Sequence, residues 1–116
     1  MAFKVVRSTE FDRDLDVIHD HLIKSYIGLG DAIADAFDRA QARIEAIEAD
    51  LETLAQSPYQ GILSPEIAQG LRHVTKNRAL FYFQIDDERQ NILVLAVFFG
   101  GQNHGRYIQE RLHRTT

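Results

Sequence analysis

The stretch Asn91–Gln102 reads Asn-Ile-Leu-Val-Leu-Ala-Val-Phe-Phe-Gly-Gly-Gln, and its residues 92–99 form an unbroken apolar run. This run is rich in β-branched and aromatic residues and is closed by two glycines, which favours a buried β-strand over a helix. Strict alternation along the strand gives two side-chain sets, Ile92, Val94, Ala96 and Phe98 on one face and Leu93, Leu95, Val97 and Phe99 on the other. Both sets are apolar, so we expect something to cover each face of the strand.

The remaining composition bounds the class of protein. A chain of 116 residues that is 45% hydrophobic predicts one globular domain spanning residues 1–116. The absence of cysteine excludes disulfides and thiolate metal sites. The N-terminus lacks the apolar core of a signal peptide, and no apolar run approaches the ~18 residues of a membrane span. We therefore expect a cytoplasmic protein without a membrane partner.

The charge is unevenly distributed. Residues 10–52 carry twelve acids and four bases, a net of −8, whereas the rest of the chain carries five acids and nine bases, a net of +4. Neither part is as basic as a dedicated nucleic-acid-binding domain.

Two helices precede the strands. The first has an apolar stripe at Phe11, Leu15, Ile18, Leu22 and Tyr26, with Thr9 as the predicted N-cap. The second starts near Asp31, ends near Ser57-Pro58, and has the stripe Ile33, Phe37, Ala40, Ile44, Ile47, Leu51 and Leu54. A Gly-rich turn at residues 28–30 separates the two helices, which predicts an antiparallel hairpin; a long coiled coil is the alternative.

Short strands fill the rest of the sequence. Residues 3–7 predict an edge strand, 71–75 and 79–85 two further strands around a turn at 76–78, and residues 57–70 a loop. Ile108 and Leu112, four residues apart, indicate a short C-terminal helix. The fold class is α+β in the order β-α-α-β-β-β plus this helix, with the hairpin packed on one face of a small antiparallel β-sheet.

The second face of that sheet carries the functional prediction. The hairpin covers one face of residues 92–99, and the C-terminal segment is too short to cover much of the other. The sequence thus predicts a vacant apolar groove that accepts a partner segment, with self-association through the same face as the alternative. If the chain itself fills this face, that argument for a docked peptide fails.

The residues Arg78-Ala-Leu-Phe-Tyr-Phe-Gln-Ile85, together with the stretch Ile92–Gln102, resemble the RelE/ParE superfamily of bacterial toxins, and the ParE-like members most. The resemblance implies a toxin of a type II toxin–antitoxin (plasmid stabilization) module whose cognate antitoxin wraps it, in a hetero-oligomer or around a homo-oligomer. ParE-like members bind and inhibit DNA gyrase, whereas RelE-like members are endoribonucleases that cut mRNA on the ribosome. Neither kind of member needs a cofactor.

The choice between these targets depends on basic residues. RelE-like ribonucleases crowd lysines and arginines onto the middle strands and place a tyrosine or a basic residue near the C-terminus. The matching residues here are Arg72, Lys76, Arg78 and Tyr107. Leu80 stands where those enzymes tend to have an arginine, and residues 100–102 lack the basic groups that they favour there. This incomplete set favours a binding protein over an enzyme, with the ribonuclease as the alternative.

The residues expected to contact partners lie on the strands and near the C-terminus: Leu80, Tyr82, Arg72, Gln102, His104, Arg106 and Arg111. Three of them also have a structural explanation, since His104 suits a helix cap, Arg106 a solvated surface and Tyr82 a packed strand. His19 and His21 are two apart on a helix and point away from each other, so no metal site is expected.

Overall fold

The computed structural model describes residues 3–100 and 104–114, with side chains described for residues 3–100 and 105–113. Its elements are, in chain order, β1 (Lys4–Arg7), α1 (Thr9–Gly28), α2 (Ile33–Glu52), β2 (Ile62–Leu63), β3 (Leu71–Lys76), β4 (Ala79–Asp86), β5 (Asn91–Phe99) and α3 (His104–Arg114). A 3-10 turn at Thr53–Ala55 follows α2. The α+β class and the order of elements are confirmed; β2, predicted as part of a loop, is new.

The five strands form one sheet in the order β1-β5-β4-β3-β2. β1 runs parallel to β5, and the other neighbours are antiparallel, so the sheet is mixed and not purely antiparallel as expected. The helical hairpin leads the chain from β1 at one edge of the sheet to β2 at the other edge. The three antiparallel pairings from β2 to β5 then leave β5 parallel to β1. The apolar stretch 91–99 is therefore an inner strand.

The helix ends differ from the predicted ones by one to several residues. Ser8, not Thr9, caps α1, because its hydroxyl accepts a hydrogen bond from the Phe11 amide at 3.0 Å. Ala32 precedes α2 and offers no side-chain cap, while the Asp31 carboxylate pairs with Arg39 at 2.7 Å. α2 also ends at Glu52, well before Ser57.

A β-bulge breaks the alternation of β5. Tyr82 lies opposite Ala96, but Phe83 lies opposite Val94, so Leu95 is an additional residue on β5. Beyond this point the faces exchange, and the predicted face assignment of residues 96–99 is wrong. The side chains that pack toward the hairpin are Ile92, Val94, Val97 and Phe99, and those on the other face include Leu95, Ala96 and Phe98.

The main core lies between the hairpin and this first face. The described core members from the helices are mostly the predicted stripe residues, among them Phe11, Leu15, Ile18, Leu22, Ala40, Ile44, Ile47 and Leu51. They pack against Phe81, Phe83, Ile92 and Val94 of the sheet. The stripe prediction fails only at the start of α2, where Ala36 is buried but Ile33 and Phe37 are 74% and 51% exposed.

α3 covers the second face of the sheet. Ile108 is fully buried against Leu71, Tyr82 and Ala96, and Leu112 packs beside them. The small side chain of Ala96 lets the helix approach the sheet closely, so eleven residues suffice where we expected too few. The prediction that this face is vacant is wrong, and the argument for a peptide docked there fails with it.

No helix in the described part of the chain is long and apolar enough to cross a membrane.

Gly61 marks a close approach of backbone at the start of β2. Its φ is +84°, and a Cβ there would lie 2.4 Å from the His73 carbonyl oxygen. We expect Gly61→Ala to lower the free energy of unfolding by about 2 kcal/mol, through the left-handed backbone together with this clash. Gly70 is the control, since its φ is +77° but a Cβ there would meet no neighbouring atom within 4 Å. Gly70→Ala should cost about 1 kcal/mol; equal losses in urea denaturation would show that the clash relaxes away.

Candidate partner-binding groove

The edge of β5 is only half occupied. β1 pairs with β5 from Asn91 to Val94, whereas β5 continues to Phe99. Within residues 3–100 and 104–114, no strand pairs with the segment 95–99 on the side away from β4. The described strands thus leave this side of residues 95–99 without a neighbouring strand, and side chains occupy part of it.

Side chains of α1 and of its cap bind this edge. The Ser8 hydroxyl donates to the Leu95 carbonyl at 3.2 Å, while the Val97 amide donates to the Asp14 carboxylate at 3.0 Å. These bonds satisfy backbone groups that the bulge and the end of β1 leave without a neighbouring strand. They also fix the distance between α1 and β5.

Arg111 of α3 also contacts Asp14 and the β5 backbone. Its guanidinium donates to both Asp14 oxygens, at 2.8 and 2.9 Å, and to the Leu95 carbonyl at 3.1 Å. The two side chains are only 16% and 13% exposed. The hydrogen bond to Asp14 raises the pKa of Arg111 above its ordinary value, so the guanidinium stays charged. Helix α1, the bulge and α3 therefore meet in one charged, mostly buried contact.

A groove of about 280 Å³ lies between α1, the β5 edge and α3, and we call it the α1–β5 groove. Its lining residues are Asp14, Val17, Ile18, His21, Val97, Phe98, Phe99 and Tyr107. Val17 and Tyr107 form an accessible apolar rim, being 68% and 49% exposed, and the rings of Tyr107 and Phe98 are 6.2 Å apart. An apolar groove beside a strand suits an extended, apolar peptide segment.

The predicted ribonuclease residues do not converge on this groove. Arg72 and Lys76 share the hairpin-facing side of β3 with Val74, and Arg72 donates to the Tyr59 carbonyl at 2.9 Å. Tyr107 lies on the opposite side of the sheet, next to Phe98. Arg78 sits exposed in the β3–β4 turn at a φ of 70°. The structure separates Tyr107 from Arg72 and Lys76.

The predicted partner contacts are also dispersed. Leu80 and Tyr82 lie under α3, and Arg106 forms an exposed ion pair with Glu110 at 3.2 Å. Arg111 supports the groove through Asp14, as described above. Gln102 and the side chain of His104 lie outside the described residues.

Asp14 and Val17 are groove residues that were not among the contacts predicted from the sequence. Phe11, Asp14 and Ile18 are spaced three and four apart. This spacing places the Asp14 carboxylate at the border of the buried stripe, which was the signal available in the sequence.

A second polar cluster lies under α3. The buried Ser64 hydroxyl and His73 Nδ1 are 2.6 Å apart, and the rings of His73 and Tyr82 are 5.8 Å apart. Burial of Tyr82, and secondarily the charge of Glu66, raise the pKa of the Tyr82 hydroxyl above its ordinary 10.0. No group of three or more His, Asp or Glu side chains that could hold a metal occurs among the described residues.

The shifted Tyr82 hydroxyl predicts a pH dependence of stability. The protonated hydroxyl contributes to the free energy of unfolding. This contribution is complete below pH 10 and is lost as the pH rises through the folded-state pKa, because the hydroxyl loses its proton at a lower pH in the unfolded chain than in the folded one. We expect Tyr82→Phe to reduce the loss of unfolding free energy between about pH 9 and pH 11 while changing stability little at neutral pH. Urea denaturation across this range tests it, and parallel losses in both proteins would contradict it.

The fold is similar to that of several solved structures. A chain of the chromosomal ParDE toxin–antitoxin system from P. aeruginosa matches 86% of this chain and 98% of its own, with a TM-score of 0.65 at 20% identity. The fold is that of the RelE/ParE toxins. A chain of the RelBE2 toxin–antitoxin complex from Mycobacterium tuberculosis matches 88% of this chain and 95% of its own, with a TM-score of 0.58 at 18% identity.

The toxin RelE of E. coli, in the free state of a double mutant, has the same RelE/ParE fold. It matches 97% of this chain and 98% of its own, with a TM-score of 0.56 at 10% identity. The greatest similarity among these three is to the ParDE structure, which agrees with the ParE-like resemblance of the strand residues. No protein-family model and no curated protein matches the sequence.

Proposed function

We propose that this protein is the toxin of a type II toxin–antitoxin (plasmid stabilization) module. A cognate antitoxin neutralises it in the cytoplasm by laying an extended apolar segment into the α1–β5 groove. The proposal rests chiefly on the α1–β5 groove, an apolar surface that lies beside β5 where β1 has ended. The RelE/ParE fold, found in structures of toxin–antitoxin complexes, supports it.

For the cellular target we propose DNA gyrase, inhibited by contact in the manner of ParE-like proteins. Ribonucleolytic cutting needs an acid, a base and cations around one phosphate. Here Arg72 and Lys76 lie on the opposite side of the sheet from Tyr107. Arg111, which contacts the groove residue Asp14, already binds its carboxylate. This geometry supports a binding protein more than a nuclease.

Expression of the protein without its antitoxin tests the target. We expect growth arrest, and the purified protein should raise the yield of gyrase–DNA cleavage complexes while leaving ribosome-bound mRNA intact. Ribosome-dependent mRNA cuts with gyrase unaffected would establish the RelE-like alternative, in which Arg78→Ala should abolish toxicity and preserve antitoxin binding. Harmless overexpression would indicate a member that keeps the fold but has lost toxicity.

The antitoxin is tested separately. A short reading frame next to this gene, when co-expressed, should restore growth and copurify with the protein. Failure of every adjacent frame to do either would contradict the antitoxin part of the proposal and leave the target assay unaffected.

A further inference from the structure

The turn of the helical hairpin carries an exposed apolar surface that the groove does not use. Its residues are Ile27, Leu29, Ile33 and Phe37, which are 41%, 79%, 74% and 51% exposed. We call these four residues the tip patch. They make up a large part of the exposed large hydrophobic side chains described in this structure, and all four lie in residues 27–37, around one turn of the chain.

Their grouping follows from the helices. Ile27 and Leu29 lie where α1 ends, and Ile33 and Phe37 lie four residues apart in the first turns of α2. The His19 ring of α1 meets the Phe37 ring edge-on at 5.2 Å, which extends the surface across both helices. The result is a two-helix face of the kind against which a third helix packs.

The tip patch is separate from the α1–β5 groove. Ile27 lies six residues beyond His21, the groove residue nearest to it along α1. Six residues correspond to about 9 Å along the helix and about 240° around its axis. A ligand in the groove therefore leaves the tip patch accessible.

The charges around the tip patch are mostly negative. Between Asp16 and Arg39 the sequence has five acids and two bases, Lys24 and Arg39, a net of −3. Asp31 pairs with Arg39, but Asp16, Asp20 and Asp38 are exposed. This border repels a second copy of the same tip and repels an anionic membrane, whereas it attracts a basic partner.

We propose that the tip patch docks an amphipathic helix of a partner protein, with apolar residues on one face and lysines or arginines along its borders. The apolar face covers Leu29, Ile33 and Phe37, and the basic borders meet Asp20 and Asp38. This surface is additional to the antitoxin groove and stands independently of the toxin proposal. It gives the protein a second, electrostatically selective contact.

The probe is a synthetic peptide of about 18 residues built from leucine and lysine in an amphipathic helical pattern. Isothermal titration and amide chemical-shift mapping should detect binding of this peptide, with the shifts centred on residues 27–37. The same peptide with glutamate in place of lysine should bind at least about tenfold more weakly, as should the lysine peptide in about 0.5 M salt.

Two variants with matched controls locate the contact. Leu29→Ser/Ile33→Ser should weaken binding at least about tenfold, whereas Ile62→Ser/Leu63→Ser, which removes a comparably exposed apolar pair from β2, should leave it unchanged. Asp20→Lys/Asp38→Lys should also weaken it, unlike the charge-matched Glu52→Lys/Glu88→Lys.

Three results would overturn the proposal. These are no binding of the lysine peptide, shifts centred on the groove or spread over the acidic surface, and equal losses in variants and controls. Sedimentation that shows a dimer broken by Leu29→Ser/Ile33→Ser would assign the tip patch to self-association instead.

Discussion

Replacing Arg111 with alanine is expected to lower the free energy of unfolding by about 3 kcal/mol. The substitution removes two hydrogen bonds to the Asp14 carboxylate and one to the Leu95 carbonyl. Asp14 is 13% exposed, so its charge is left mostly buried without its ion partner. Urea denaturation followed by circular dichroism measures the loss.

Arg106 provides the matched control on the same helix. Its ion pair with Glu110 is 74% and 57% exposed, so Arg106→Ala should cost well under about 1 kcal/mol. The double variant Asp14→Asn/Arg111→Ala should be less destabilised than the sum of its single variants, because no unpaired buried charge remains. Additive losses would mean that the two residues do not act as a pair.

The second large effect is expected at the groove rim. Val17→Glu should weaken antitoxin binding about 100-fold, or about 2.7 kcal/mol, because a charged side chain replaces an apolar contact beside the β5 edge. Val17 is 68% exposed in the isolated protein, so stability should change little. In cells, this variant should arrest growth even when the antitoxin is present. This prediction rests on the proposed function.

Ala42→Glu is the control for that variant. It adds the same charge at an exposed position of α2 that does not line the groove. Neutralisation of Ala42→Glu should equal that of the natural sequence. If both variants escape the antitoxin equally, added charge explains the effect, and the groove is not the binding site.

The parts of the fold that depend on near neighbours were predictable from the sequence. The three- and four-residue spacing from Phe11 to Leu22 identified α1, and the apolar run at 92–99 identified an inner strand. The parallel pairing of β1 with β5 was not predictable, since no local pattern records which strand lies beside which. The bulge at Leu95 was missed for a similar reason, because it depends on the register with β4.

The place of the candidate groove was not predictable from the sequence. Because both faces of β5 are apolar, the sequence correctly predicted a cover on each face. The second cover, however, comes from Ile108 and Leu112 of α3 and not from a partner. The groove instead occurs where β1 stops at Arg7 while β5 continues. The ion pair between Asp14 and Arg111 beside the groove was also not predictable, because the two residues are far apart in the sequence.

The position of β5 has a consequence for synthesis on the ribosome. Ser8 binds Leu95 across 87 residues, so β1 and the hairpin are made long before the strand on which they pack. Until residues 91–99 emerge, the apolar stripes of both helices lack their cover and are exposed to proteases and to aggregation. Folding of the hairpin onto the sheet therefore waits until β5 has been made, and any activity that needs the folded sheet waits with it.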